Sequence, residues 1–259
     1  MAELNGRPVE RAQLQALALT NYGHFTTMRV EDGGVRGLSL HLDRLRTDCR
    51  ALFDAEIDVD RVRACARRAL AGASPAVVRV TVFDPELQLG DPGADAHPNI
   101  LVTTRAATSA APPPLSLGSA RYVREMPEVK HVGLFGPLRH RRAAQRAGFD
   151  DALFVDAAGR ICEAATSNLG FVDGDRVLWP SGQQLPGVTQ RLLDQLPGQE
   201  TTTAELALPA AARAEAVFAT NAAVGVRPVR AIDDHRWPEQ HPVLDRLQEQ
   251  YAAIEPERL

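Results

Sequence analysis

The chain has 259 residues, 44% of them apolar and 24% charged, with a formal net charge of −4 and a mean hydropathy of −0.20. That balance excludes collagen-like, coiled-coil and wholly disordered classes, and it gives no overall attraction to nucleic acid or to an anionic membrane. One core rarely serves more than ~150 residues, so two domains or one large α/β unit is expected.

In chain order, the N-terminal residues lack the basic-then-apolar order of a signal peptide, and no later stretch approaches the ~20 apolar residues of a membrane span. A cytoplasmic protein is expected. Residues 24–30 are rich in β-formers and run into Glu31-Asp32-Gly33-Gly34, a turn, before Val35 resumes, which reads as a hairpin. Apolar residues at Leu38, Leu42, Leu45, Cys49 and Leu52, then at Val62, Ala66 and Leu70, recur every three or four positions and predict two helices. Strands are expected over 76–83 and 100–104, separated by a polar loop rich in Pro, Gly and Asp. The first domain, residues 1–107, thus reads as an α+β sheet with its helices on one side. Three consecutive prolines, Pro112 to Pro114, mark residues 108–114 as a stiff linker.

In the second domain, residues 115–259, a helix is expected from Leu138 to Ala147 and a β-meander over 152–179. A further helix is expected from Gly187 to Leu196, a strand over 216–220 and a closing helix over 241–253, with fraying after Ala253. Cys49, Cys65 and Cys162 are odd in number and widely spaced, which fits reduced thiols. None of the seven histidines has metal-ligand spacing, so no metal is expected. The cluster Arg139, His140, Arg141, Arg142 and Arg146 lacks interleaved aromatics and reads as a solvated helix face, with no nucleic-acid or membrane partner.

Of the 29 basic residues, 28 are arginine and one is lysine, Lys130. Arginine stays protonated at any ordinary pH, whereas a desolvated lysine can lose its proton and form a Schiff base. Glu163 lies among small residues where a flat ligand could approach. A lysine for an aldehyde and a carboxylate for a pyridinium nitrogen are what pyridoxal phosphate demands. Gly187-Val188-Thr189 offers a glycine, backbone N–H groups and a hydroxyl at a helix start, Thr220-Asn221 adds donors after a strand, and Arg44 offers a fork suited to phosphate.

Taken together, residues 23–30, 41–45, 129–131, 148–156, 163–169, 185–189 and 220–229 resemble, block by block and in order, the class IV aminotransferases. The resemblance covers nearly the whole chain and implies the two-domain α+β architecture of fold type IV pyridoxal-phosphate enzymes, with the active site between the domains and a homodimer as the usual assembly. It implies pyridoxal 5′-phosphate as cofactor, Lys130 as the Schiff-base residue and Glu163 on the ring nitrogen. Arg44, Gly187, Val188, Thr189 and Thr220 or Asn221 would form the phosphate cup. Thr27 and Arg29, on one face of a strand with Thr26 on the other, would meet the substrate. The Asn-Tyr pair that many members carry after the lysine is replaced here by residues without a hydroxyl, beginning His131-Val132-Gly133. The expected reaction is amino transfer between a small amino donor and a keto acid. Phe25-Thr26-Thr27 and Lys130-His131 also look like aminodeoxychorismate lyase, which releases pyruvate and 4-aminobenzoate, and that is the alternative.

Overall fold

Runs of Val, Ile and Thr place three long strands side by side in the computed structural model, which describes residues 2–108 and 111–259. Met1, and Ser109 and Ala110 of the expected linker, lie outside the described residues. The chain divides into two units: Met1–Ser109 with Val129–Gly133 and Glu255–Leu259, and Ala110–Glu128 with Leu134–Ile254. This differs from a single cut at 108–114, because the five residues around Lys130 and the last five residues belong with the first unit.

The first unit holds β1 (Ala2–Leu4), β2 (Arg7–Pro8), α1 (Arg11–Thr20), β3 (His24–Val30), β4 (Gly34–Val35), α2 (Leu38–Phe53), α3 (Val59–Leu70), β5 (Ala76–Phe83) and β6 (Asn99–Ala106). Its five-stranded sheet runs β2-β1-β6-β5-β3, antiparallel throughout. Alternation along the strands sends Met28, Val30, Val78, Val80, Val82, Ile100 and Val102 to one face, where they pack against Leu42, Leu45 and Cys49 of α2 and Val62, Ala66 and Leu70 of α3. The Asp58 carboxylate starts α3 by accepting the N–H groups of Asp60 and Arg61. The sequence suggested helices on one side only. In the structure Leu4, Phe83 and Leu101 face the other way and are covered by Val9 and by Leu17 of α1.

Two local expectations are corrected. The hairpin after β3 closes only through a Glu31–Gly34 bridge, and β4 pairs instead with the two-residue strand Glu257–Arg258. The residues after Ala253 are therefore not frayed. Leu259 is buried in the core beside α3, and Arg63 and Arg67 donate to the carbonyls of Arg258 and Leu259 at 2.9 and 3.1 Å. An unpaired strand edge and a buried leucine outweigh the entropy of a loose end.

The second unit holds β7 (Leu115–Arg121), α4 (Phe135–Arg146), β8 (Asp151–Val155), β9 (Ile161–Ala164), β10 (Asn168–Asp173), β11 (Arg176–Pro180), α5 (Val188–Asp194), β12 (Thr201–Ala204), α6 (Leu208–Ala211), β13 (Ala216–Asn221), β14 (Gly225–Ile232), β15 (His235–Arg236) and α7 (Pro242–Ala253). The strand order is β12-β11-β10-β13-β14-β7-β8-β9, with β15 beside β14. The expected meander is instead two hairpins, β8–β9 and β10–β11, held apart by β13, β14 and β7. One face buries Leu117, Leu153, Ile161, Phe171 and Val229. The other packs Val172, Trp179 and Phe218 against Leu193 of α5 and Leu244 and Leu247 of α7. Gly170 stands opposite Phe218 in the β10–β13 register, and a Cβ there would lie 2.3 Å from the phenyl ring. The small residue in that block thus makes room for a core aromatic.

A chain ended after Ile254 should fold with the same secondary structure but lose about 2 kcal/mol, the worth of burying one leucine. Its urea midpoint should fall accordingly; an unchanged midpoint would mean that the terminal strand adds nothing.

Candidate active site

Lys130 sits in a short extended segment stitched to the start of β3. Phe25 donates its N–H to the Lys130 carbonyl at 2.9 Å, and Val132 donates to the Gly23 carbonyl at 2.9 Å, around an antiparallel bridge between His24 and His131. Gly23 has φ +148, and a Cβ there would lie 2.5 Å from the Val82 carbonyl oxygen, so the close approach of these strands requires glycine. Asp48 of α2 accepts the Lys130 N–H at 3.0 Å.

The Phe25 ring carries two cations. Lys130 Nζ lies 5.0 Å from its centroid, and the Arg79 guanidinium carbon lies 3.6 Å from it. Arg79 donates to Thr81 Oγ1 at 3.2 Å, and no carboxylate pairs with it among the described residues. Burial pulls its pKa below the ordinary arginine value. Thr27 stands opposite Arg79 in the β3–β5 register. Arg29 is already engaged, with its Nε 2.8 Å from Glu31 and an Nη donating to the Thr108 carbonyl. Arg79 rather than Arg29 is therefore the guanidinium without an acidic partner.

Thr26 points into the opposite face and is buried, its Oγ1 2.7 Å from His41 Nδ1. Burial depresses both His41 and His24 to a pKa of about 3; for His41 the nearby charges of Arg44 and Lys130 act in the same direction. Both rings are held neutral. Arg44 lies half-buried on the same helix, three residues from His41.

In the second unit, Glu163 of β9 is 3% exposed, and its Oε1 accepts from Arg124 Nε at 2.9 Å while Oε2 accepts from the Leu185 N–H at 3.4 Å. Both side chains are buried, and the arginine gives the Glu163 carboxyl group a hydrogen-bonded counter-charge. Asn168 stands opposite Thr220 in the β10–β13 register and donates to Gln184 and to the Leu185 carbonyl. A Cβ on Gly187 would lie 2.0 Å from the Asn168 side-chain oxygen, so glycine lets the turn before α5 settle against β10. Val188 opens α5 and is buried.

That turn brings α5 to β13 with two buried hydroxyls, Thr189 Oγ1 and Thr220 Oγ1, that have no hydrogen-bond partner among the described residues. A buried hydroxyl left unpaired costs about 1–3 kcal/mol. Two in adjoining elements fit an anionic acceptor such as a phosphate. Asn221 is used otherwise: its amide donates to Ser167 Oγ and the Thr166 carbonyl, and its oxygen accepts the N–H groups of Ala223 and Val224. Of the pair Thr220 or Asn221, the threonine has the spare donor.

Sequence reasoning missed Asp48, Arg79 and Arg124. A charge within the apolar strand 76–83 and an acid within the apolar stripe of α2 were the available signals for Arg79 and Asp48. Arg124 carried none, being one arginine among 28.

Residues 23–232 match the family model for amino-transferase class IV. The chain belongs to the class IV aminotransferases. Members of this family use pyridoxal 5′-phosphate, and the buried donor set described above suits that group. Over 99 residues the chain is 38% identical to branched-chain-amino-acid aminotransferase 6 of Arabidopsis thaliana, covering 36% of this chain and 28% of that protein. Over 122 residues it is 25% identical to a probable branched-chain-amino-acid aminotransferase of Synechocystis sp., covering 43% and 38%. The matches thus span well under half the length of these curated relatives. The branched-chain amino acid aminotransferase of Escherichia coli superposes with a TM-score of 0.86 at 21% identity, over 98% of this chain and 93% of that one. A putative 4-amino-4-deoxychorismate lyase from Legionella pneumophila gives 0.84 at 22%, over 92% and 93%. The class IV fold, α+β of type IV, is the one expected from the sequence.

Replacing Thr189 and Thr220 together by valine should leave the apoprotein at least as stable, because each methyl removes a buried unpaired hydroxyl. The same change should weaken pyridoxal phosphate binding at least about tenfold, since a hydrogen bond to a charged group is worth about 1.5–3 kcal/mol. Calorimetric melting and cofactor titration would check both halves; destabilisation with unchanged affinity would make the two hydroxyls structural.

His24 and His41 titrate near 6.5 in the unfolded chain but only near 3 when folded. Between those values the unfolded state binds more protons, so their contribution is full above about pH 6.5 and is lost as pH falls toward 3. The slope should approach about 1.4 kcal/mol per pH unit for each histidine. Urea midpoints measured at pH 7, 6 and 5 should decline, and the decline should lessen in His41→Gln.

Proposed function

We propose that the protein is a pyridoxal-phosphate-dependent aminotransferase that attaches its cofactor at Lys130 and takes at least one substrate bearing a second carboxylate. The observation that carries the reading is the pair of cations on Phe25: the chain's one lysine amine shares an aromatic ring with a part-buried guanidinium that has no acidic partner among the described residues. An amine alone would suit many ligands. An amine beside a spare arginine suits a carbonyl compound that is also an acid.

Pyridoxal phosphate supplies an aldehyde for that amine and a ring that accepts electrons. Lys130 Nζ is the attachment point and the base that moves the proton at the substrate's α-carbon. Thr189, Thr220 and Arg44 hold the phosphate. Glu163, hydrogen-bonded by Arg124, holds a proton on the ring nitrogen. Arg79 receives the substrate's distal carboxylate, with Thr27 beside it as a hydroxyl donor.

Glutamate alone should bleach the holoenzyme's visible absorbance band stoichiometrically, and an added keto acid should restore it. Lys130→Ala should show no such band. Arg79→Gln should raise KM for glutamate and 2-oxoglutarate at least about tenfold, the loss of one charged hydrogen bond, with little change for leucine or alanine. Pyruvate release from aminodeoxychorismate without any acceptor, and no bleaching by any amino acid, would instead assign the lyase reaction.

A further inference from the structure

Asp48 is 2% exposed, although it lies on the face of α2 that otherwise buries Leu45 and Cys49. A carboxylate so placed is costly unless it is used. One use is plain: its Oδ2 accepts the N–H of Lys130 at 3.0 Å, while the carbonyl of the same lysine accepts from Phe25 at 2.9 Å. The lysine is thus held at both main-chain groups, one to the sheet and one to α2. His41, one turn before Arg44 on that helix, ties it to β3 through Thr26.

Arg44 and Asp48 are four residues apart on one helix, a rise of ~6 Å that packing on both sides keeps constant. We infer that α2 is a ruler. Asp48 is a positioning residue that sets the main chain of Lys130 at a fixed span from the Arg44 guanidinium, so one rigid element registers the aldehyde end of the cofactor against its phosphate end. This rests on the roles proposed above for Lys130 and Arg44. A ruler acts only on a ligand that has both ends, which pyridoxal phosphate has and pyridoxal lacks.

The test follows the growth of the visible band when each aldehyde is added to full-length apoenzyme. In both reactions a C=N bond forms between Lys130 Nζ and the aldehyde carbon, and the aldehyde oxygen leaves as water. Asp48→Ala should slow the reaction of pyridoxal phosphate at least about tenfold and leave that of pyridoxal within about twofold, because small misplacements of a reacting pair cost rate steeply. Affinity for inorganic phosphate should not change. Asp48→Asn, whose amide oxygen can accept the same N–H, should restore most of the rate ratio. Equal slowing of both aldehydes, an asparagine variant that behaves like the alanine one, or an unchanged ratio in a folded Asp48→Ala protein would each overturn the ruler while leaving the aminotransferase reading intact. Failure of wild-type apoenzyme to bond either aldehyde at Lys130 would overturn both.

Discussion

A single backbone bridge organises the candidate site of this fold. Residues 129–133 leave the second unit's stretch of sequence to lie along β3, and two hydrogen bonds around the His24–His131 bridge decide where the chain's one ammonium group stands. The bridge exists because Gly23 tolerates a positive φ with a carbonyl pressed against it. The neighbouring order follows from β3: Phe25 turns one way to meet Lys130 and Arg79, and Thr26 turns the other to meet His41. Alternation along one strand thereby separates a side that carries two cations from a buried polar support.

Both units place polar groups where the fold alone would prefer apolar ones. His24 and His41 are kept neutral at the expense of acid stability, Glu163 is paired with a buried arginine, and Thr189 and Thr220 find no hydrogen-bond partner among the described residues. Such choices lower stability locally, and sites that bind or react are where they accumulate. Elsewhere the cores are conventional: β-branched strands under amphipathic helices in the first unit, and aromatic packing of Trp179 on Phe218 in the second.

Long periodic segments were legible in the sequence. The two helices after β3, the strands over 76–83 and 99–106 and the closing helix stand where the spacing put them, because each buries a stripe or face that the pattern displays. Elements that are short, lightly buried or preceded by breakers were not legible. α1 has no fully buried residue, β9 has four residues, and β7 follows prolines that read as a linker. The meander failed for another reason, since hydrophobic alternation specifies a strand and its face but not its neighbour. In the site, the lone lysine and the acid of the 163–168 block stood out by composition. The arginines did not, because a chain that uses 28 of them gives no hint which will stand beside the lysine.

The last five residues also impose an order on assembly. β4 finds its partner 222 positions downstream in the Glu257–Val35 pairing, and the core of the first unit gains Leu259 only then. The whole second unit is synthesised between those two events. The first unit therefore emerges with β4 unpaired and one core position unfilled, and the entropy of closing so long a loop must be met late. Maturation of the half that carries Lys130 is coupled in time to completion of the half that carries Glu163. A chain stalled before its end would present Lys130 beside a paired β3, but with β4 unpaired and the core still missing Leu259.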